Sequence, residues 1–500
     1  MPISVKNFGH NVTVAPAVFE VPADTNAVLA CLEQHRGRNI RVIGSLHSWS
    51  EVAVGKDVVL DLRRLDSITL SPTADGQIQA EIGAGCTIDR VLDFLHRHGR
   101  YTLPTYGMVG KQTIAGAIST ATHGSGKSSL SHYVDAVSVA AYDPATGKPR
   151  IFEWSAGDQL RAARCALGCS GVLLSIRVRV EKDYQIEERT QWFSRLDEVI
   201  AATHEYPRSQ FYLMPWSWKW YAQLRRPIAD ESARRPGVIA RLLRVFRLAI
   251  IDFSLNGAIR GLAGSGRTLR VIPSLFRRLM PLLAPSGLRL TDDSREILTM
   301  RHDLYRHVES ELFVPAANLP DAATYLEWVL RCCGGDPHAL PASISRGNFG
   351  CDVSVGIEEL RRHYLHDYPI TFRRVLQDDT LISMTSGDSA DEWYAISLIT
   401  YQRDLRPFLR MVRFVAVTMG RAYGARPHWG KICALNTSEL AALYPGLTQF
   451  RDHCQAIDPA QAFVNDFARR ALGFPPLEHR EPGTSGENSR DQGVESRVRT

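Results

Sequence analysis

The sequence has no apolar run approaching 18 residues, so a membrane-spanning helix is not expected. Its opening residues, MPISVKNFGHNV, lack a basic stretch followed by an apolar one, and no secretory leader is expected. The nine cysteines are odd in number and scattered, with no Cys-x-x-Cys pair. That usage predicts reduced thiols, a cytoplasmic location and no metal site. No Gly-x-Gly-x-x-Gly unit joins a strand to a helix, which argues against NAD as an electron acceptor. The net charge of +6 is modest. No stacking aromatics accompany the basic residues, so nucleic acid is not an expected partner.

What is present is a globular composition, 44% hydrophobic and 22% charged, over 500 residues. That length predicts two or three domains with ample core. The most informative stretch is Arg41 to Ser50, RVIGSLHSWS. An apolar strand end runs into a Gly turn with a histidine at its middle. Gly permits close backbone approach, and the free amides and hydroxyls of such a turn can hold a pyrophosphate. A second Gly turn follows at Ile82 to Gly85, and a richer third one at Thr113 to Gly126, TIAGAISTATHGSG.

Around these turns the pattern alternates strand and helix. Ala15 to Val21 reads as a strand, and Asp24 caps a helix with Val28, Leu29 and Leu32 on one face. Thr87 to His98 is an amphipathic helix. Asp135 to Ala141 and Gly171 to Val180 are strands, the latter with one solvent face. Further on, strands are expected at Tyr184 to Trp192, Gln210 to Met214, Trp218 to Gln223, Glu309 to Pro315, Leu381 to Met384 and Trp393 to Thr400. Helices are expected at Leu196 to Tyr206, Leu319 to Cys332 and Leu405 to Tyr423. Residues 1–13 read as a short lead-in.

The three turns, with Pro427-His428-Trp429-Gly430-Lys431 near the C-terminus, resemble the vanillyl-alcohol-oxidase (PCMH-type) FAD-linked oxidoreductases, and within them the sugar-lactone and alditol oxidase branch. The resemblance runs from Val14 to about Phe474. It implies an α+β chain: a two-subdomain FAD-binding domain over 14–181, a substrate or cap domain with a mixed or antiparallel sheet and helices over 182–425, a segment at 426–474 returning to the flavin, and a disordered tail at 475–500. It implies FAD as cofactor, attached through His47 by an 8α-histidyl bond. Leu46 departs from relatives that carry Gly there.

By the same resemblance Ile43, Gly44, Ser45, Leu46, His47, Ser48, Trp49, Ala115, Gly116, Ala117, Ser119, Thr122 and Gly124 contact FAD. His123 is either a further contact or a structural histidine of the turn. Cys169, Gly171 and Val172 are expected to meet the adenine or ribose end, unless this is an ordinary turn before a buried strand. Thr113 is expected on the substrate side of the flavin. Lys431 is expected either to stabilise the negative charge that develops at flavin N1 and C2=O on reduction, or to hold the substrate hydroxyl. Arg373 matches an active-site arginine of the family, while Thr371 stands where relatives have a glutamate. Candidate bases are His428, and Glu309 or Glu311, which share one face of a strand.

The reaction implied is oxidation of an alcohol carbon, in a sugar lactone, polyol or related donor. Hydride passes to flavin N5, and dioxygen or a quinone or cytochrome reoxidises it. Alternatives are a non-covalent flavin reductase acting on a lipid-like substrate, and a non-catalytic flavin-binding, membrane-associated protein. Residues 234–289 contain eleven arginines and one acid, Asp252, interleaved with apolar clusters. That pattern suits either a peripheral helix on an anionic membrane or a solvated helix pair.

Overall fold

A computed structural model describes residues 3–228, 272–300, 306–336, 340–341, 349–361 and 363–475. The chain opens with β1 (Val5–Lys6), β2 (Thr13–Val14), β3 (Val18–Glu20), β4 (Ile40–Ile43) and β5 (Val58–Asp61). β1 and β2 pair as an antiparallel hairpin, so the expected lead-in is structured. β3, β5 and β4, in that order, form a parallel sheet. Parallel strands need a crossover, and helix Thr25–Gln34 connects β3 to β4, which flank β5. Asp24 caps this helix by accepting from the Ala27 N–H, and Val28 and Leu32 are its buried positions. Every residue of β5 is buried.

The next strands are β6 (Ile68–Pro72), β7 (Ile78–Gly83), β8 (Tyr101–Thr102), β9 (Val134–Tyr142), β10 (Pro149–Trp154), β11 (Val172–Arg179) and β12 (Glu181–Lys182). Five of them make an antiparallel sheet in the order β10-β9-β11-β7-β6. Helix Ile88–Arg97, capped by Thr87, buries Ile88, Val91, Leu92 and Leu95 in the core of this sheet. β11 alternates buried and partly exposed residues, as its sequence predicts.

The remaining strands are β13 (Gln185–Phe193), β14 (Gln210–Met214), β15 (Lys219–Ile228), β16 (Arg289–Asp293), β17 (Val308–Pro315), β18 (Ile370–Leu376), β19 (Glu392–Thr400) and β20 (Arg426–Pro427). They form one antiparallel sheet of eight strands, β16-β13-β15-β14-β18-β19-β17-β20. Its core joins Phe211, Phe313, Phe372 and Trp393 to Leu326 and Val329 of helix Leu319–Cys333 and to Val415 and Met419 of helix Arg406–Tyr423. The α+β architecture is thus the one the sequence implied.

One expectation needs correction. Leu381 to Met384 is an irregular turn rather than a strand. Side chains there take the backbone groups a ladder would use: Asp378 Oδ1 accepts from Thr380 N, Thr380 Oγ1 from Ser383 N, and Ser386 Oγ donates to Ser383 O. The arginine-rich segment lies largely outside the described residues, which resume at helix Ile272–Leu283. Phe276 and Met280 are buried there, while Arg277 and Arg278 are exposed. The expected tail from 476 onward also lies outside them. Among the described residues no helix is long and apolar enough to cross a membrane, and all nine cysteines are free thiols.

Candidate active site

The residues after Pro427 close back onto the first sheet. Ile40 N donates to Ala462 O at 2.8 Å. Asn39 Nδ2 donates to Ala462 O and Val464 O at 3.0 and 2.8 Å. A cavity of about 310 Å³ is enclosed where all three main sheets contribute lining. The turn after β4 forms one wall. A Cβ on Gly44 would lie 2.2 Å from Thr113 Oγ1, so glycine lets the first and third turns touch. Leu46 adopts φ +56°, a left-handed conformation that glycine takes without strain and that costs a leucine about 1–2 kcal/mol. The turn is nonetheless held, because Trp49 N and Ser48 Oγ both donate to Gly430 O, at 2.8 and 3.0 Å.

The third turn begins a short helix, Ile114–Ser119, capped by Thr113. Ile114 N donates to Cys86 O at 2.7 Å, tying it to the second Gly turn, whose Ala84 and Gly85 also face the cavity. Ile43 to Trp49, Thr113, Ala115, Gly116, Ser119, Thr122, His123, Gly171, Arg373, His428 and Lys431 all line the cavity.

Four residues expected at the cofactor do not line it. Ala117 packs with Ile114 and Ile118 in the core beneath the helix, because adjacent helical residues point to different sides. Val172 packs between sheets while its neighbours Gly171 and Leu173 face the cavity, the alternation of a strand. Cys169 is buried in the main core, and burial pushes its thiol up. Gly124 turns against Thr105 and Tyr106, where a Cβ would approach both to 2.9 Å.

The polar end of the cavity is built by backbone pairing. His428 N donates to Glu311 O and Ile432 N to Glu309 O, both at 3.0 Å. This sets the C-terminal motif against β17. Period-2 alternation turns Glu309 and Glu311 to the cavity together. Lys431 Nζ is ion-paired with Glu309 and lies 4.2 Å over the Trp49 ring. Trp429, in contrast, faces away: it is fully buried, donates to Ile382 O at 2.6 Å and packs on Tyr444. Arg373 Nε donates to Gln210 Oε1 at 3.3 Å.

Glu311 is the hub. Its Oε1 accepts from Ser397 Oγ at 2.7 Å, and its Oε2 lies 3.5 Å from His123 Nε2 and 4.0 Å from His428 Nε2. Burial opposes its ionisation, but the His123 imidazole, aided by Lys431, holds the carboxyl well below the usual range. His123 Nδ1 donates to Gly124 O at 2.9 Å, which leaves Nε2 to share a proton with Glu311. Burial pushes His428 down to about 3, so it is neutral. Its Nδ1 accepts from Gly430 N at 2.9 Å, which puts its single proton on Nε2. An N–H is neither a base nor a ligand. That N–H faces Glu311 Oε2 from 4.0 Å, beyond hydrogen-bond reach. His123, Glu311 and His428 each bring one nitrogen or carboxylate oxygen within 4.8 Å of the others.

At the opposite end, buried Arg41 is caged by carbonyls. Its guanidinium donates to Gly168 O at 3.1 Å, Leu167 O at 2.7 Å, Phe463 O at 2.5 Å and Val52 O. Sequence reading passed over it, although an arginine inside the apolar run Ile40–Ile43 is itself a signal, since buried charges are rare. Between the ends stands an apolar wall that includes Met108, Val109, Met300, Tyr368, Ile399 and Tyr401. Behind it Asp367 is fully buried. One oxygen accepts from Thr400 Oγ1 at 3.4 Å, and the other meets no hydrogen-bond partner among the described residues.

Small residues at three turns, hydroxyls at Ser45, Ser119 and Thr122, and a cation at each end make a donor set that fits FAD. Fold and site together define a flavin-linked oxidoreductase acting on CH–OH donors. The chain belongs to the D-arabinono-1,4-lactone oxidase family, whose pattern matches residues 176–471, and residues 16–149 match the FAD binding domain. It is 43% identical over 469 residues, 93% of this chain and 96% of the relative, to a long-chain alcohol oxidase of an uncultured marine euryarchaeote. It is 24% identical over 444 residues, 88% of this chain and 91% of the relative, to an L-gulono-1,4-lactone dehydrogenase of Mycobacterium tuberculosis. Its fold is similar to that of cholesterol oxidase from Brevibacterium sterolicum, at a TM-score of 0.72, 15% identity, and 94% and 97% coverage of the two chains.

Proposed function

We propose that this enzyme oxidises long-chain aliphatic alcohols to aldehydes, with FAD bound covalently through His47. The observation that carries the substrate class is Thr371. It is buried in the cavity lining beside Arg373 where polyol-oxidising relatives have a carboxylate, and the neighbouring wall is apolar. A neutral side chain there removes a partner for sugar hydroxyls and leaves room for methylenes. The 43% identical relative, a long-chain alcohol oxidase, supports the same reading.

FAD, when bound, would supply the acceptor for the hydride of the alcohol carbon, with dioxygen or a quinone as its reoxidant. The hydroxyl proton passes to the Glu311–His123 pair, whose carboxylate is kept anionic for that purpose. Lys431 supplies positive charge for the reduced cofactor. Arg41 ties the Leu167–Gly168 turn to Val52 and to Phe463 of the C-terminal segment, stiffening that end of the cavity. A long-chain donor dissolves in lipid, and the basic segment 234–289 suits an anionic membrane surface.

The test is kcat/KM across a series from butanol to hexadecanol, set beside aldonolactones and alditols, for the wild type and Thr371→Glu. Rising kcat/KM with chain length, and a shift toward polyols in the variant, is the expected result. A lactone or alditol preferred over every alkanol by the wild type overturns the substrate class.

A further inference from the structure

We propose that the N-terminal hairpin is the device that orients His47 for its bond to flavin, with Asn7 and Phe8 as positioning residues. This rests on the reading of His47 as the covalent attachment point. The turn that carries His47 contains Leu46 at a left-handed φ of +56°, a conformation a leucine holds only where its surroundings impose it. The hairpin imposes it from outside. Leu46 O accepts from Phe8 N at 2.8 Å, Ser48 O from Asn7 Nδ2 at 2.8 Å, and Trp49 O from Asn11 Nδ2 at 2.9 Å. These three carbonyls bracket His47 in the chain.

Asn7 is 3% exposed, and its carboxamide is fully engaged. Oδ1 accepts from Val12 N at 3.0 Å, closing the hairpin, while Nδ2 serves both Ser48 O and Asn11 Oδ1. A segment that merely led into the fold would not need a buried amide spent in this way. Gly9 lets the hairpin close on the turn, because a Cβ there would lie 2.7 Å from Trp49 Cδ1.

The side chain of His47 is governed by Phe8. The Phe8 ring stacks on the imidazole, with centroids 5.3 Å apart and planes inclined by 25°. Phe8 is itself held edge-on by Trp49 and His307 at 6.1 and 5.3 Å. A flat face fixed against the imidazole restricts its rotation, and Phe8 also lines the cavity.

Attachment joins a His47 ring nitrogen to the 8α carbon of the isoalloxazine. The ring N–H proton and one methyl proton leave, and the two electrons reduce the flavin, which the enzyme's own acceptor, dioxygen or a quinone, reoxidises. That reaction depends on placing one nitrogen within reach of one carbon, and small misplacements of a reacting group cost large factors in rate.

The experiment compares the wild type, His47→Ala, Asn7→Ala, Phe8→Leu and Phe8→Tyr, all purified as full chains from cells grown with ample riboflavin. Intact-mass spectrometry of the acid-denatured protein gives the covalent fraction. Absorbance of the native protein gives total flavin. Phe8→Leu keeps the backbone bonds and the apolar bulk while removing the stacked ring, so it separates positioning from folding. We expect flavin to copurify with Asn7→Ala and Phe8→Leu, their covalent incorporation to slow by about ten-fold or more, and Phe8→Tyr to match the wild type. Wild-type covalent fraction and rate in Phe8→Leu overturn the proposal and leave the covalent reading standing. Complete release of flavin from the wild type by acid overturns both.

Discussion

Replacing Asp367 with asparagine should make the protein more resistant to heat at alkaline pH than at acid pH, relative to the wild type. Burial raises the Asp367 carboxyl from 3.8 to about 7. The fold therefore favours its neutral form. The stability this provides is complete below 3.8, the unfolded value, and is lost as pH rises toward 7. Taking the two titrations together gives a folded-state penalty of about 2 kcal/mol at pH 5 and about 4 kcal/mol at pH 8. Asparagine is neutral throughout and lacks that slope. The two stability curves should thus diverge by about 2–3 kcal/mol across this interval. For a chain of this length, with an unfolding entropy near 1 kcal/mol per kelvin, that is about 2–3 °C in Tm. Differential scanning calorimetry of both proteins at the two pH values reads it directly. Parallel curves with no change in the difference would refute the claim that the carboxyl is held neutral behind the cavity wall.

Arg41→Met should lower stability by about 3–5 kcal/mol, because it leaves the carbonyls of Val52, Leu167, Gly168 and Phe463 without their donor. A Tm within a degree of wild type would count against the cage. Glu311→Gln should lower kcat by about 10²–10⁴-fold while bound flavin stays constant, and rapid-reaction kinetics of flavin reduction would show whether the loss lies in the hydride step. Gly44→Ala puts a methyl against Thr113 Oγ1 and should break the Thr113 cap, at a cost of about 1 kcal/mol. It should also reduce flavin content in the purified protein, whereas unaltered occupancy would show that the two turns can part without consequence.

The cavity wall was legible because its residues are contiguous. A strand end, a Gly turn and a histidine in nine residues carry their own meaning, and so does a Thr before Ile-Ala-Gly-Ala. Contiguity also misled. Ala117 and Val172 sit within motifs yet point into the core, since a helix and a strand turn successive side chains to different faces. The ring beneath Lys431 is Trp49, far off in sequence, and not its near neighbour Trp429. Arg41 could not be assigned, because one of its acceptors lies 422 positions away. The hairpin escaped notice for a related reason: strands of two residues carry no periodicity, and their partner is a turn rather than a sheet.

The same closure governs when the cofactor site comes into being during synthesis. The His47 turn and the hairpin that brackets it leave the ribosome early, but the groups that close over them arrive last: the carbonyls of Trp429 and Gly430, the Ala462 and Val464 carbonyls that hold Asn39, and the Asn465 side chain that donates to Glu51 O and Val54 O. At about 5–20 residues per second, the interval between the two is tens of seconds. A nascent chain therefore carries an unfinished flavin wall for most of its translation. Loading with FAD belongs after termination, and cells short of riboflavin would accumulate completed apoprotein rather than stalled or truncated chains.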